Sequence, residues 1–146
     1  GSSMGGWLML LVAERLGTQL HALVGIAAAP DFTEWGRSDA DKARLAAGET
    51  VFDANPYGPE PTPTSARFFA DAECHVRLDG PIDITCPVRL LHGKADADVP
   101  WDISLRLKAA LRSDDVQVTL IEDGDHRLSR PGDIDALKAI VAGFYR

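Results

Sequence analysis

Residues 1–5 read Gly1-Ser2-Ser3-Met4-Gly5 and match the pattern G-x-S-x-G, directly before a run with the apolar spacing of a helix. In this pattern the central serine stands in a sharp turn with strained backbone angles. We expect glycine two positions before and two positions after Ser3 because a side chain there would strike the neighbouring strand or helix. The turn exposes the Ser3 hydroxyl at a helix N-terminus, where backbone N–H groups can stabilise a developing oxyanion.

Helical and strand patterns alternate along the rest of the chain. Helices are predicted over residues 3–16, 101–111 and 132–145, and strands over residues 20–29, 87–91 and 116–121. The first helix is expected to be mostly buried and to end at Gly17. The continuous apolar run 20–29 is typical of a strand covered on both faces. The order predicts an α/β fold with parallel strands, flanking helices and right-handed crossovers.

Residues 32–85 interrupt this alternation and are predicted to form a cap inserted into one partial domain that spans residues 1–146. Residues 55–64 contain four prolines, which excludes a central strand or a helix interior there. Short helices are predicted over residues 39–47, with Ser38 as the N-cap, and over residues 64–74.

Composition limits the classes of function. The chain has 146 residues, of which 45% are hydrophobic, so it forms one modest globular domain. The net charge of −7, with few and scattered basic residues, excludes nucleic acid as the main partner. The apolar runs are too short to span a bilayer, and no basic segment precedes them. We therefore expect a cytoplasmic protein in which Cys74 and Cys86 are reduced, buried and apolar in character.

An acidic side chain follows the predicted strand 87–91. Asp96 lies in the loop after this strand, and functional groups of parallel α/β sheets collect at such carboxyl ends. Asp98 is interpreted as a turn residue and Asp102 as the start of the next helix. His92, directly before Gly93, is expected to pack or to form a hydrogen bond in the same loop.

His126 is the histidine that no packing pattern explains, and it lies in the loop after the predicted strand 116–121. His21 begins an apolar strand and is interpreted as structural, and His75 is interpreted as a solvated residue of the cap. Ser3, Asp96 and His126 thus occur in the chain order Ser…Asp…His, each at the same edge of the predicted sheet. An imidazole can take the proton of a serine hydroxyl, and an oriented carboxylate stabilises the imidazolium that results.

The sequence resembles the C-terminal half of α/β-hydrolases, and in particular the group of the mitochondrial palmitoyl-protein thioesterases and their bacterial relatives. The resemblance is carried by residues 1–10 (GSSMGGWLML), residues 86–93 (CPVRLLHG), Asp96 with residues 99–101, and residues 125–127 (DHR). It implies that Ser3 is the nucleophile, Asp96 the acid and His126 the base, with the N–H of Met4 in the oxyanion hole. It implies acyl ester or thioester substrates, and no metal or other cofactor.

The resemblance also implies that the strands before the serine turn, and the loop that supplies a second oxyanion donor, are absent from this chain. The favoured hypothesis is a serine esterase or thioesterase that works through an acyl-enzyme intermediate. One alternative is a catalytically impaired half-domain that serves as a binding or assembly module with a separate N-terminal half. A flavodoxin-like ligand-binding domain is a weaker alternative, because no glycine-rich phosphate loop follows a strand.

The sequence also predicts how the edge of the sheet is covered. The apolar strand 20–29 would form an open edge, which predicts a homo-oligomer or association with an N-terminal half, unless the first helix covers that edge.

Aromatic residues of the cap either bind an apolar acyl chain or seal the cap onto the sheet. The candidate substrate-binding residues are Trp35, Phe52, Tyr57, Phe68 and Phe69.

Overall fold

The computed structural model describes residues 1–145 and contains a three-stranded parallel sheet. The elements in chain order are α1 (Met4–Leu16), β1 (Leu23–Ile26), α2 (Phe32–Trp35), α3 (Asp39–Ala46), β2 (Val51–Asp53), β3 (Thr62–Thr64), α4 (Ala66–Glu73), β4 (Val88–Gly93), α5 (Asp102–Ala110), β5 (Val116–Ile121) and α6 (Pro131–Gly143). The strand order β1-β4-β5 places β4 in the centre, paired in parallel with both neighbours. The predicted parallel α/β architecture is confirmed.

The chain divides into two compact units, residues 1–30 with 77–146, and residues 31–76. The first unit contains the parallel sheet, and its core joins α1, β4 and α5 through Leu10, Leu90 and Leu107, all almost completely buried. Burial of such side chains supplies most of the free energy that favours folding.

Helix α1 presents two different faces. Gly17 ends the helix as predicted. Its φ of 53° is a positive angle that glycine adopts easily and that would strain a residue with a side chain. The buried positions are Gly6, Trp7, Leu10 and Ala13, whereas Met4, Leu8, Val12 and Leu16 are exposed. The expectation of a mostly buried helix is therefore wrong. The four exposed apolar positions are spaced four residues apart, so they form a stripe on one side of the helix.

Strand β1 is shorter than the predicted strand 20–29. A 3₁₀ turn over Gly17–Gln19 precedes it, and Ala27, with φ of 43°, ends it. Part of its outer edge is also paired, since Gly1 N donates to Val24 O and Ile26 N donates to Gly1 O. Residues 1–3, rather than α1, thus cover this part of the edge, and association with a second chain stays a prediction.

The second unit contains α2, α3, the β2–β3 pair and α4. Ser38 caps α3 as predicted, by accepting a hydrogen bond from Asp41 N, and Ser65 caps α4 in the same way. The antiparallel β2–β3 pair lies partly within the proline-rich stretch, where no strand was predicted. The unit ends at Val76, whereas the predicted insertion extends to residue 85, because Ile82 N donates to Ala110 O in the first unit.

No helix within residues 1–145 has both the length and the apolar composition that a membrane span requires.

Two leucines of α5 provide a matched test of the core. Leu107 is completely buried in the core of the first unit, whereas the Leu105 side chain is exposed. We expect Leu107→Ala to lower the free energy of unfolding by about 2–5 kcal/mol, because it removes buried methyl groups and leaves a cavity. We expect Leu105→Ala to change it by less than about 0.5 kcal/mol. Urea unfolding monitored by circular dichroism measures both values, and equal losses would contradict this assignment of the core.

Candidate active site

Ser3 stands in the strained turn that the sequence predicts. Its backbone angles, φ of 50° and ψ of −126°, are unusual for a residue with a side chain, and α1 begins at the next residue. Three hydrogen bonds fix the turn, since Ser3 N donates to Ile26 O and Ser3 O accepts from the N–H groups of Gly6 and Ala29. Strain of this kind costs about 1–3 kcal/mol and persists where the surrounding structure holds it.

The close contacts around this turn differ in part from the expected ones. A Cβ atom at Gly1 would lie 2.4 Å from Gly5 O, so Gly1 is crowded as expected. Gly5, in contrast, has open space around it, and the expectation of a clash there is wrong. The crowded position is Gly6, where a Cβ atom would lie 2.5 Å from the Cβ atom of Ala28.

Asp96 lies in the loop after β4, and its carboxylate is held from several directions. Its Oδ1 atom accepts hydrogen bonds from the backbone N–H groups of Asp98, at 2.8 Å, and Val99, at 2.9 Å. The side chain is fully buried. These bonds leave Oδ2 to face the loop that follows β5.

His126 lies in the loop after β5, and a close contact between glycines brings this loop to Asp96. Ala95 N donates to Gly124 O, and a Cβ atom at Gly93 would lie 2.1 Å from the same oxygen. No residue other than glycine fits at position 93. Beyond His126, Leu128 N donates to Asp125 Oδ1, which supports the buried Leu128 at a φ of 45°.

The three predicted residues form one hydrogen-bonded series. The distance between His126 Nε2 and Ser3 Oγ is 3.0 Å, and the distance between His126 Nδ1 and Asp96 Oδ2 is 2.9 Å. In the neutral ring, Nδ1–H donates to the carboxylate, and Nε2 accepts from the serine hydroxyl. This geometry allows His126 to take the Ser3 proton while Asp96 stabilises the resulting charge.

The pKa values of the pair favour an ionised Asp96. Burial opposes the charged form of the carboxylate, but hydrogen bonds from His126, His92 and the N–H groups of Val99 and Asp98 outweigh it and hold the pKa of Asp96 well below its ordinary value. The hydrogen bond to Asp96 raises the pKa of His126, burial lowers it, and the charges of Asp96, Asp98 and Asp125 raise it further. The net pKa of His126 lies above its ordinary value of 6.5.

Comparison with known proteins identifies the family of the chain. The model of the prolyl oligopeptidase family matches residues 1–146, the whole chain. The chain belongs to this family of α/β-hydrolases. The predicted resemblance to α/β-hydrolases is therefore confirmed. The parallel sheet with flanking helices is part of the α/β-hydrolase fold.

Individual relatives are similar over nearly the whole chain. The mitochondrial palmitoyl-protein thioesterase ABHD10 of Mus musculus is 41% identical over 143 residues, which is 94% of this chain and 48% of the mouse protein. The structure of mouse α/β-hydrolase domain-containing protein 10 aligns with a TM-score of 0.87 at 36% identity, covering 99% of this chain and 60% of that one. The crystal structure of an Agrobacterium vitis S4 protein aligns with a TM-score of 0.91 at 39% identity, covering 100% and 60%. The chain spans about half the length of the curated relatives that it matches.

Other residues singled out in the sequence lie outside this series. Met4 is the first residue of α1, so its N–H has no partner within the helix and lies next to Ser3. His21 Nε2 lies 3.3 Å from Phe144 O, consistent with a structural role, and His75 lies beside Asp71 on α4. Both cysteines are free, but Cys74 is exposed at the end of α4, so the expectation that it is buried is wrong.

The aromatic candidates for substrate binding all belong to the second unit. Phe52, Tyr57 and Phe68 are exposed, and the Phe68 ring also stacks on Phe32. The five candidates are Trp35, Phe52, Tyr57, Phe68 and Phe69. Their role in substrate binding stays a prediction.

Within residues 1–145 one group of side chains has the composition and spacing of a possible metal site, namely Asp96, Asp98 and His126. Their potential ligand atoms lie within 4.8 Å of one another. Asp96 Oδ2 and His126 Nδ1 are already joined by a hydrogen bond, and Asp96 Oδ1 accepts two backbone N–H groups. The donor set is therefore better described as a hydrogen-bonded pair with an exposed acid beside it.

The charge of Asp98 provides a test of the pKa of His126. The base must be neutral to take a proton, so the reaction of Ser3 with a fluorophosphonate should slow as the pH falls through the His126 pKa, which lies above 6.5. Asp98→Asn removes one charge that raises this pKa and keeps the backbone donor to Asp96. We expect the midpoint of the rate profile to move to lower pH.

The matched control is Asp135→Asn on α6, which removes an acid that does not contribute to the raised pKa of His126. Its midpoint should equal that of the unmodified chain. A midpoint that moves to higher pH in Asp98→Asn would contradict the assignment of His126 as the titrating group.

Proposed function

We propose that this chain cleaves carboxylic esters or thioesters, with Ser3 as nucleophile, His126 as general base and acid, and Asp96 as the residue that orients His126. The observation that carries this proposal is the continuous series Ser3 Oγ–His126 Nε2 and His126 Nδ1–Asp96 Oδ2, at 3.0 and 2.9 Å. Membership of a hydrolase family supports the same reaction class.

In the proposed first half-reaction, Ser3 Oγ forms a bond to the acyl carbon while its proton moves to His126 Nε2. The carbonyl electron pair moves onto oxygen and returns as the bond to the leaving group breaks. His126 gives its proton to the departing oxygen or sulfur, which leaves the acyl group on Ser3. Asp96, ionised because its pKa is lowered, stabilises the imidazolium throughout.

In the second half-reaction, water replaces the leaving group. His126 takes a proton from the water as its oxygen attacks the acyl carbon, and it returns the proton to Ser3 Oγ when the acyl bond breaks. The products are a carboxylic acid and the free serine. The N–H of Met4, at the N-terminus of α1, is the proposed donor to the oxyanion in both halves, where the helix dipole also favours negative charge.

Thioesters are the proposed preferred substrates. The similar mouse protein is named a palmitoyl-protein thioesterase, which suggests a long acyl group and a thiol leaving group. A thiol ionises near pH 8.5, far below an alcohol, so its departure depends less on protonation by His126. Esters of the same acid should therefore depend more strongly than thioesters on the protonated form of this histidine.

The decisive test is whether Ser3 reacts as an activated nucleophile. We expect a fluorophosphonate to label the chain at Ser3, and Ser3→Ala to abolish this labelling together with hydrolysis of p-nitrophenyl and thioester substrates. Asp96→Asn should lower the rate by about 10⁴-fold, because an amide favours the wrong tautomer of His126. His126→Ala should lower it further, by about 10⁶-fold, because it removes the base itself.

Mass spectrometry of the labelled peptide identifies the modified residue, and Ser2→Ala serves as the control, because Ser2 is adjacent to Ser3 but outside the hydrogen-bonded series. An unlabelled Ser3 in a folded chain would favour the alternative of a binding or assembly module. Full hydrolysis by Ser3→Ala would assign the nucleophile to another residue.

We further propose that the exposed aromatic side chains of residues 31–76 determine the preferred length of the acyl chain. Phe52 is 61% and Tyr57 55% exposed, so both present apolar surface that a bound acyl chain can contact. We expect Phe52→Ser to shift the preference of hydrolysis toward shorter acyl chains. Rates on a series of p-nitrophenyl esters measure the shift, with exposed Leu105→Ser on α5 as the control. The same length profile in both variants would refute the proposal.

A further inference from the structure

A second histidine contacts the carboxylate of Asp96. His92 is completely buried on β4, directly before Gly93. Its Nε2 atom lies 3.2 Å from Asp96 Oδ2 and 3.1 Å from Val99 O, and its Nδ1 atom lies 2.7 Å from the hydroxyl oxygen of Ser104 on α5. Ser104 is buried almost as completely as His92.

These partners determine which ring nitrogen of His92 carries the proton. Both partners of Nε2, a carboxylate and a backbone carbonyl, can only accept a hydrogen bond. Nε2 must therefore be protonated, and it donates to Asp96 and Val99. The Ser104 hydroxyl can donate, so in the neutral ring it donates to Nδ1. Because these groups are buried, the opposite tautomer would take this donor away from Val99 O and would leave His126 as the remaining donor to Asp96 Oδ2.

With this tautomer of His92, each carboxylate oxygen of Asp96 accepts two hydrogen bonds. Oδ1 accepts from two backbone N–H groups, and Oδ2 accepts from the Nε2–H of His92 and the Nδ1–H of His126. His92 reaches Oδ2 from strand β4, and His126 reaches it from the loop after β5. Without His92, Oδ2 would be held only by the histidine that it has to orient.

We propose that His92 is a positioning residue, which fixes Oδ2 of Asp96 for His126 by donating its Nε2–H, with Ser104 selecting the required tautomer. This proposal rests on the proposed function, since it concerns the acid of the same site. A merely structural histidine would instead stabilise the contact between β4 and α5 without changing the bond between Asp96 and His126.

Two amide substitutions separate these roles. The amide of asparagine at position 92 reaches about as far as Nδ1, so His92→Asn keeps a partner for Ser104 and loses the donor to Asp96. The longer glutamine reaches about as far as Nε2, so His92→Gln keeps the donor to Asp96 and loses the partner of Ser104. Both variants place one polar amide in the same buried position, which makes them matched controls for stability.

We expect His92→Asn to lower the rate of fluorophosphonate labelling at Ser3 by about 10²-fold, the effect of a small displacement of a catalytic group. We expect His92→Gln to label at a rate close to that of the unmodified chain. Labelling in His92→Asn at the unmodified rate, or equal losses in the two variants, would overturn the proposal. Thermal unfolding of both variants confirms that the labelled samples are folded.

Nuclear magnetic resonance gives a second test, which does not need a reactive Ser3. The ¹⁵N shifts of the His92 ring should show the proton on Nε2, and a proton on Nδ1 alone would overturn the proposal. The Nδ1–H proton of His126 should give a far-downfield resonance that shifts in His92→Asn and is restored in His92→Gln. If the unmodified chain is not labelled but these resonances behave as expected, the proposed function fails while the role of His92 stands.

Discussion

Parallel pairing of β4 with β1 and β5 is the interaction on which the rest of the first unit depends. Parallel strands end at a common edge of the sheet, and residues 1–3 join them there through a parallel bridge between Ser2 and Ile26. Asp96 and His126 lie in the loops that follow β4 and β5, and Ser3 lies in the segment that pairs with the end of β1. Neighbouring strands bring these segments together, and the close contact of Gly93 with Gly124 draws the two loops closer still. The side chains then meet at 3.0 Å between Ser3 Oγ and His126 Nε2 and at 2.9 Å between His126 Nδ1 and Asp96 Oδ2.

Several backbone positions near this edge are strained, and the hydrogen bonds around them hold the strain in place. Ser3, Ala27 and Leu128 all have positive φ angles without being glycine. The N–H of Ala27 donates to Leu91 O, the turn at Ser3 is held by Ile26 and Ala29, and Leu128 is held by Asp125. These strained residues lie beside the hydrogen-bonded series of Ser3, His126 and Asp96, and the surrounding hydrogen bonds hold that part of the backbone in one conformation.

The order of elements and the proximity of Ser3, Asp96 and His126 could be predicted because they depend on short-range patterns, apolar periodicity and the loops that follow strands. The features that were missed depend on tertiary structure. Apolar composition alone does not show that Ala27 ends β1, or that α1 leaves one apolar face uncovered. The prolines excluded a central strand, and Pro63 lies in a strand with a neighbour on one side, where its missing N–H is tolerated. His92 was expected to pack or to form a hydrogen bond, but its partners Asp96 and Ser104 could not be identified from spacing.

Ser3 and His126 are separated by 123 positions along the chain, and their contact joins the first residues to the loop before the last helix. Contacts of such long range are entropically unfavourable until the segments between them have folded. Contact between Ser3 and His126 therefore indicates that the first unit has folded as a whole. Helical content, in contrast, arises largely from local segments such as α1 and α6 and can develop before the ends of the chain meet.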